Sequence, residues 1–378
     1  MTASTPHTGV YLDHAATTPM RPEAVEAYLE HAHIVGNPAA LHRPGQRARA
    51  ALEEAREELA EAVEAHPTEV VFTSGGSESD SLAVLGSWER GQRDGRGRCL
   101  VAASEHPAVL MAAQRGAETV PVDRDGVVVL DALEAALGED VAVLSAMTVN
   151  NETGVLQPLR EIFHLAERSG VPVHTDAVQA LGHVPLSFTE SAATMMSLSA
   201  HKVGGPVGIG ALLARRDAPL HPVGLGGGQE RELRSGTQMV GLAAAFARAA
   251  SMAVQELEAE SARLRELSDQ ISELVVRHGG RLNSIPDGAP HIVNATFDGV
   301  RADDLLFLLD RAGIYASVGS ACKAGVHQPS DVLLAMGRTA DEAVQSLRFS
   351  IGRTSTQADI HALAAALPEA LSTAKAAL

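Results

Sequence analysis

Residues 141–182, VAVLSAMTVNNETGVLQPLREIFHLAERSGVPVHTDAVQALG, decide the fold. VAVLSAM (141–147) is a continuous apolar run of strand length, followed by a polar turn, and reads as a strand buried on both faces. LREIFHLAERSG (159–170) carries apolar residues at helical spacing and is closed by a glycine. VPVHT (171–175) is a second buried strand. Strand, helix, strand is the unit of a parallel sheet.

The same alternation extends outward in both directions. EVVFT (69–73), CLVAA (99–103), MMSLS (195–199) and GIGALLA (208–214) read as further buried strands. SDSLAVLGSWERG, PAVLMAAQRG and LDALEAALG read as the helices between them. After about residue 240 the pattern changes. A long helical run spans Gly241 to His278, with Leu257, Leu264, Leu267, Ile271 and Leu274 on one face. HIVNATF, DDLLFLLDRAG, SLRFSI and an alanine-rich closing helix follow. The expected fold class is α/β, a large domain with a mostly parallel sheet and helices on both faces, plus a small α+β domain. The expected boundaries are 16–258 for the large domain, and 1–15 with 259–378 for the small one.

The chain has 378 residues, 45% hydrophobic and 20% charged, which is ordinary for a globular protein with a substantial core. A formal net charge of −17 argues against direct nucleic-acid binding or attachment to an anionic membrane. Two cysteines, Cys99 and Cys322, make no disulfide framework, and without a CxxC pair no zinc site is expected. The N-terminal residues carry no secretory pattern and no run is long enough to span a bilayer, so a reducing cytoplasmic setting is expected.

Ligands of open α/β sheets sit at the carboxyl ends of the strands. Polar residues cluster at those places here. After VVFT, the segment SGGSESD (74–80) opens a helix with glycines and a serine, a cradle for a phosphate or simply a helix cap. After VAAS comes His106, and after VLSAM the turn TVNNETG with Asn150, Asn151 and Glu152. After VPVHT come Asp176 and Gln179, and after MMSLS come Ser199, His201 and Lys202. Each has an ordinary structural explanation, as a cap, a turn residue or a surface group. Five such groups at five strand ends form an inventory: an anion cradle (Gly76, Ser77, Ser199, His201), a carboxylate for a ring nitrogen (Asp176), amides for a ring oxygen and a lysine. A phosphate, a basic ring nitrogen, a phenolic oxygen and an aldehyde awaiting an amine describe pyridoxal 5'-phosphate. Lys202 is then the amine nucleophile that attaches the cofactor, activated by a lowered pKa.

Ten segments taken together, YLDHAATTP, GNPAALH, FTSGGSESDSLAV, SEHPAVL, VNNETGV, HTDAVQALG, SLSAHKVGGPVGIGAL, GGGQERELRSGT, SVGSACKAG and SLRFSIGR, resemble the cysteine desulfurases of the IscS/NifS-like branch. That branch belongs to the class V aminotransferases, pyridoxal-phosphate enzymes of fold type I. The resemblance runs in order from residue 11 to about 356. It implies that Lys202 holds the cofactor, Asp176 pairs with the pyridine nitrogen, and Gln179 and Asn151 contact the ring oxygen. His106 is expected to stack on the ring as a candidate acid or base, with Ser77, Ser199 and His201 on the phosphate. Thr237 is expected to reach the phosphate of a partner subunit in an obligate homodimer. Arg353 is expected to clamp the substrate carboxylate, with Asn37 and Asn151 nearby.

Cys322, in GSACKAGVHQPS, is the implied sulfur acceptor; its neighbours are small and polar, whereas Cys99 within CLVAA reads as a structural core thiol. The implied reaction converts L-cysteine to L-alanine and leaves a persulfide on Cys322, for iron–sulfur cluster assembly, tRNA thiolation or both. An acceptor protein such as an iron–sulfur scaffold or a tRNA-thiolation enzyme is the implied partner. Lys323 stands where this branch often has a small hydroxyl residue, and SVGSAC where SSGSAC is usual. The chain ends at Leu378 without the longer tail by which some relatives dock a scaffold protein. Two alternatives stay open: a class V aminotransferase or lyase acting on a small amino acid, which needs Lys202 and Asp176 but not Cys322, and a non-enzymatic sulfur carrier on the same fold.

Overall fold

The computed structural model describes residues 9–319 and 328–376. Twelve strands lie among them. They are β1 (Val10–Tyr11), β2 (Val70–Thr73), β3 (Arg98–Ala102), β4 (Glu118–Val120), β5 (Val141–Ser145) and β6 (Val173–Asp176), then β7 (Met195–Ser199), β8 (Gly210–Ala214), β9 (Arg281–Leu282), β10 (Ile292–Thr296), β11 (Ile314–Tyr315) and β12 (Ser346–Ser350). Seven form one sheet in the order β2-β8-β7-β6-β5-β3-β4. The pairs from β7 across to β4 are parallel, and only β8 runs against its neighbours.

Every residue of β2, β5, β6, β7 and β8 is buried, as the unbroken apolar runs require when helices cover both faces. Two corrections concern elements. The run 241–278 is two helices, Val240–Gln255 and Leu257–Arg277, meeting at Glu256. PAVLMAAQRG is one short α-turn, Pro107–Leu110, continuing as a 3-10 helix, Met111–Arg115.

Apolar side chains separate into cores. On the two faces of the seven-stranded sheet lie clusters that include Leu100, Leu144, Ile162 and Leu198 on one side, and Val71, Cys99, Val101 and Val143 on the other. A separate cluster gathers Leu12, Leu264, Ile271, Val293, Leu305, Phe349 and Leu363 around the antiparallel ladder β12-β10-β9. Strand β1 pairs with β11, tying the start of the described chain into this second unit. Val332, Leu333, Met336 and Ala343, which the expected boundary assigns to the small domain, pack on the large core instead. The reason is local: Ser330 caps the helix of Val332 and Leu333, and its hydroxyl donates to Glu152 at 2.5 Å, in the turn after β5.

Candidate active site

The carboxyl ends of β2, β3, β5, β6 and β7 open onto a cavity of about 850 Å³. Gly76, Ser77, His106, Asn151, Asp176, Gln179, Ser199, His201 and Lys202 all line it. Nine residues expected from the sequence therefore share one cavity, although they span more than a hundred positions of the chain.

Lys202 follows β7 in a short 3-10 turn, and its Nζ donates to the carbonyls of Ala15 at 2.6 Å and Ala16 at 2.8 Å. Burial, aided by the positive charge of Arg348, pushes its pKa down to about 8, against the opposing pull of Asp176 and Asp13. An amine so placed is uncharged in about a tenth of molecules at pH 7 and about half at pH 8, far more than an ordinary lysine, as a nucleophile needs. Asp176 is buried, which raises its pKa, while His106 and Lys202 work to lower it. Its Oδ1 accepts from the backbone N–H of Val178 at 2.8 Å within a turn; among the described residues no helix lies between β6 and β7, so Asp176 is not a helix cap.

His106 caps the helix Pro107–Leu110 by accepting from the Ala108 N–H on Nδ1 at 3.1 Å, which places the proton of the neutral ring on Nε2. Burial lowers its pKa, as does the charge of Lys202. His201, hydrogen-bonded to Thr17 Oγ1 at 3.2 Å, is pushed down to about 4 by burial and by Lys202. Gln179 donates from Nε2 to Ala15 O at 2.8 Å.

Three expected residues lie elsewhere. Asn37 and Thr237 are exposed and outside the cavity lining. Arg353 lines a smaller pocket of about 30 Å³ that Lys202 also lines, together with His14, Arg21 and His183. Cys322 and Lys323 lie outside the described residues. Cys99 is buried in the core and its thiol is pushed up to about 12, an inert structural cysteine as expected.

Sequence reasoning missed four buried polar residues. Asp80 and Glu105 also line the cavity. Asp80, His106 and Asp176 each bring one polar atom within 4.8 Å of the others. Burial and the charge of Asp176 push Glu105 up to about 8, and Asp80 is raised for the same reasons. His174 links the two, 3.6 Å from Asp80 and 2.9 Å from Ser145 Oγ, which donates to Glu105 at 2.8 Å. Arg348, 4% exposed, donates to Asn151 O at 2.7 Å and to Asp13 at 2.6 Å, fixing the rim between the two domains. Asp80 and Glu105 stand inside quoted motifs, but nothing in their spacing separates a buried acid from a solvated one.

The residues fit pyridoxal 5'-phosphate. At Gly76 a side chain would meet Val178 Cγ2 at 2.8 Å, so the first turn of the helix Gly76–Arg93 is kept open to the cavity by glycine. Asn151 Oδ1 is buried there without a partner among the described residues. A lysine of lowered pKa near a buried aspartate, at the carboxyl ends of a mostly parallel sheet, defines a pyridoxal-phosphate enzyme of fold type I.

The comparisons with known proteins narrow that class. The family model for class-V aminotransferases matches residues 10–363. An IscS-like cysteine desulfurase of Mycobacterium tuberculosis is 47% identical over 382 residues, covering 97% of each chain. A cysteine desulfurase of a Frankia species is 42% identical, covering 94% of this chain and 89% of its own. Among solved structures, a NifS-like protein superposes with a TM-score of 0.90 at 31% identity, over 97% of this chain and all of its own. The chain belongs to the class-V aminotransferase family, within its IscS/NifS-like cysteine desulfurases.

Proposed function

We infer that the chain is a pyridoxal-phosphate-dependent cysteine desulfurase, which converts L-cysteine to L-alanine and passes the sulfur through Cys322 to an acceptor protein. The observation that carries this reading is the convergence of Lys202, Asp176, His106 and Gln179 on one cavity, in a chain similar to cysteine desulfurases along nearly its whole length. When bound, the cofactor supplies an electron sink for the carbanion formed at the substrate's Cα.

The residues divide the remaining work. Asp176 would hold a proton on the ring nitrogen, and that positive charge would offset the burial of the carboxylate. Gln179 and Asn151 address the ring oxygen, and the backbone at Gly76 with Ser77, Ser199 and His201 addresses the phosphate. Lys202 attaches the cofactor, then with its amine free removes the Cα proton; its lowered pKa suits that role. His106, with its proton on Nε2, would serve as an acid or base beside the bound cofactor. Arg353, in the small pocket that shares Lys202 with the cavity, and Asn151, in the cavity lining, take the substrate carboxylate in this reading, with the exposed Asn37 as the third residue. The Cys322 thiolate attacks the substrate sulfur, the C–S bond breaks, and the persulfide stays on Cys322 until an acceptor takes it.

Thr237 reaches the phosphate across a homodimer in this reading, consistent with its exposure in a single chain. Iron–sulfur assembly, tRNA thiolation or both are the routes the persulfide serves, in the cytoplasm. No helix among the described residues is long and apolar enough to cross a membrane. The test is a paired assay of alanine and sulfide from L-cysteine with a reductant, on wild type and Cys322→Ala. Equal yields of both products, lost in a variant that retains its cofactor, are expected. Sulfide surviving in the variant, or pyruvate replacing alanine, would mean a lyase and overturn the reading.

A further inference from the structure

PHIVN (290–294) places His291 just before β10, in the small domain, yet its ring reaches Gln179 after β6. His291 is 1% exposed, and its Nε2 lies 3.2 Å from Gln179 Oε1. Gln179 Nε2 donates to Ala15 O at 2.8 Å, and a carbonyl only accepts, so the amide has one allowed orientation, Nε2 toward Ala15 and Oε1 toward His291. An amide oxygen likewise only accepts. The His291 proton must therefore sit on Nε2.

The rest of the ring agrees. Nδ1 is buried with no partner among the described residues, so no acceptor is in place there to hold the proton. His183 stacks on it with centroids 3.7 Å apart and planes 20° apart, which fixes the ring plane. The charged and titratable groups that face His291 are His183, Arg348, His14 and Arg265, all cationic when charged. Together with burial they keep the imidazole neutral. Ala15 O also accepts from Lys202 Nζ at 2.6 Å, so one carbonyl joins this chain of contacts to the cofactor lysine.

We propose that His291 is a positioning residue, whose Nε2–H locks the Gln179 amide so that the second Nε2 hydrogen faces the cofactor's ring oxygen. This rests on the role given to Gln179 above. His291 touches neither cofactor nor substrate and acts through the amide alone. Without His291, among the described residues only the Ala15 contact holds the amide, its oxygen end is unpartnered, and the group can swing about that contact and lose the alignment of its second hydrogen.

The test is the pH titration of the bound cofactor's visible absorption in wild type, Gln179→Leu, His291→Phe, His291→Gln and the double variant Gln179→Leu/His291→Phe. Removing a donor from an anionic ring oxygen leaves more negative charge to hold the neighbouring proton, so Gln179→Leu is expected to raise the midpoint. His291→Phe keeps the ring volume and the stack on His183, and is expected to raise it by roughly half a pH unit, the value of one net hydrogen bond. His291→Gln, which can donate again, should restore most of the shift, and the double variant should titrate like Gln179→Leu. A wild-type midpoint in His291→Phe, with Gln179→Leu shifted, overturns the role of His291. No shift in Gln179→Leu overturns the role of Gln179 and with it the proposal. Heteronuclear NMR of the imidazole in wild type needs no variant: the proton is expected on Nε2, and a proton on Nδ1 refutes the lock.

Discussion

At Lys202 the physical problem is to bury an amine without losing it as a nucleophile. Two backbone carbonyls, of Ala15 and Ala16, satisfy Nζ whether or not it is charged, and burial draws the pKa down to about 8. The charged form dominates below that value and the reactive free amine above it. In the cofactor-free protein, the rate at which pyridoxal phosphate attaches should climb nearly tenfold per pH unit below about 7.5 and level off above 8.5. Attachment rates measured by absorption from pH 6 to 10 check this; a rate still climbing tenfold between pH 9 and 10 would point to an ordinary solvated lysine. Lys202, Asp176 and His106 were legible in the sequence because each follows an apolar run of strand length within a strand–helix alternation. Asp80, Glu105 and Arg348 were not, since a polar residue turned inward leaves no periodic trace.

At the scale of elements, the segment carrying Thr237 is anchored by Glu230. Its carboxylate accepts from Arg56 at 2.8 and 2.9 Å and from the Phe72 N–H of β2 at 2.8 Å, all buried. Arg56 also donates to Val70 O and lies over the Phe72 ring, so one guanidinium joins the helix Arg43–Ala62, β2 and this loop. The loop pays for the contact in backbone conformation: Glu230, Arg231 and Glu232 all have positive φ, at 45°, 60° and 62°. Glu230→Ala leaves a buried guanidinium without its carboxylate and is expected to cost about 3–5 kcal/mol in urea unfolding, with part recovered in Arg56→Met/Glu230→Ala. A loss below about 1 kcal/mol would show the pair to be incidental. None of these contacts is visible in GGGQERELRSGT, which the sequence marks only as one of the segments of the family resemblance. Edge strand β4 escaped for another reason, having three residues of which two are exposed.

For the whole molecule, several histidines are buried neutral. His14, His183 and His201 are pushed down to about 4 and His174 to about 3, burial leading in each case. Between the ordinary histidine value of 6.5 and about 4, the unfolded chain binds protons that the folded one refuses, so stability falls as pH falls through that window. Each fully buried ring contributes at most about 3 kcal/mol to the loss. Urea unfolding at intervals from pH 7 to 4.5 should show a steady decline, and a flat profile would contradict it. Glu105 acts in the opposite sense: folded, it keeps its proton up to about 8, so its contribution falls as pH rises from 4.5 toward 8. Glu105→Gln should flatten that alkaline side.

The sequence by itself determined the α/β alternation, the strand ends and the residue types waiting there, because hydrophobic period and turn chemistry are local properties that need no partner. It also determined the cofactor, since a lysine, an aspartate and an anion cradle admit few ligands. Only the tertiary structure decided that nine of those residues share one cavity while Asn37, Thr237 and Arg353 lie off it. Only it brought His291 from the small domain onto Gln179, and Val332 to Ala343 onto the large core. Contacts between residues more than a hundred positions apart are set by how whole elements pack, and packing is a property of the assembled surfaces rather than of any stretch of chain.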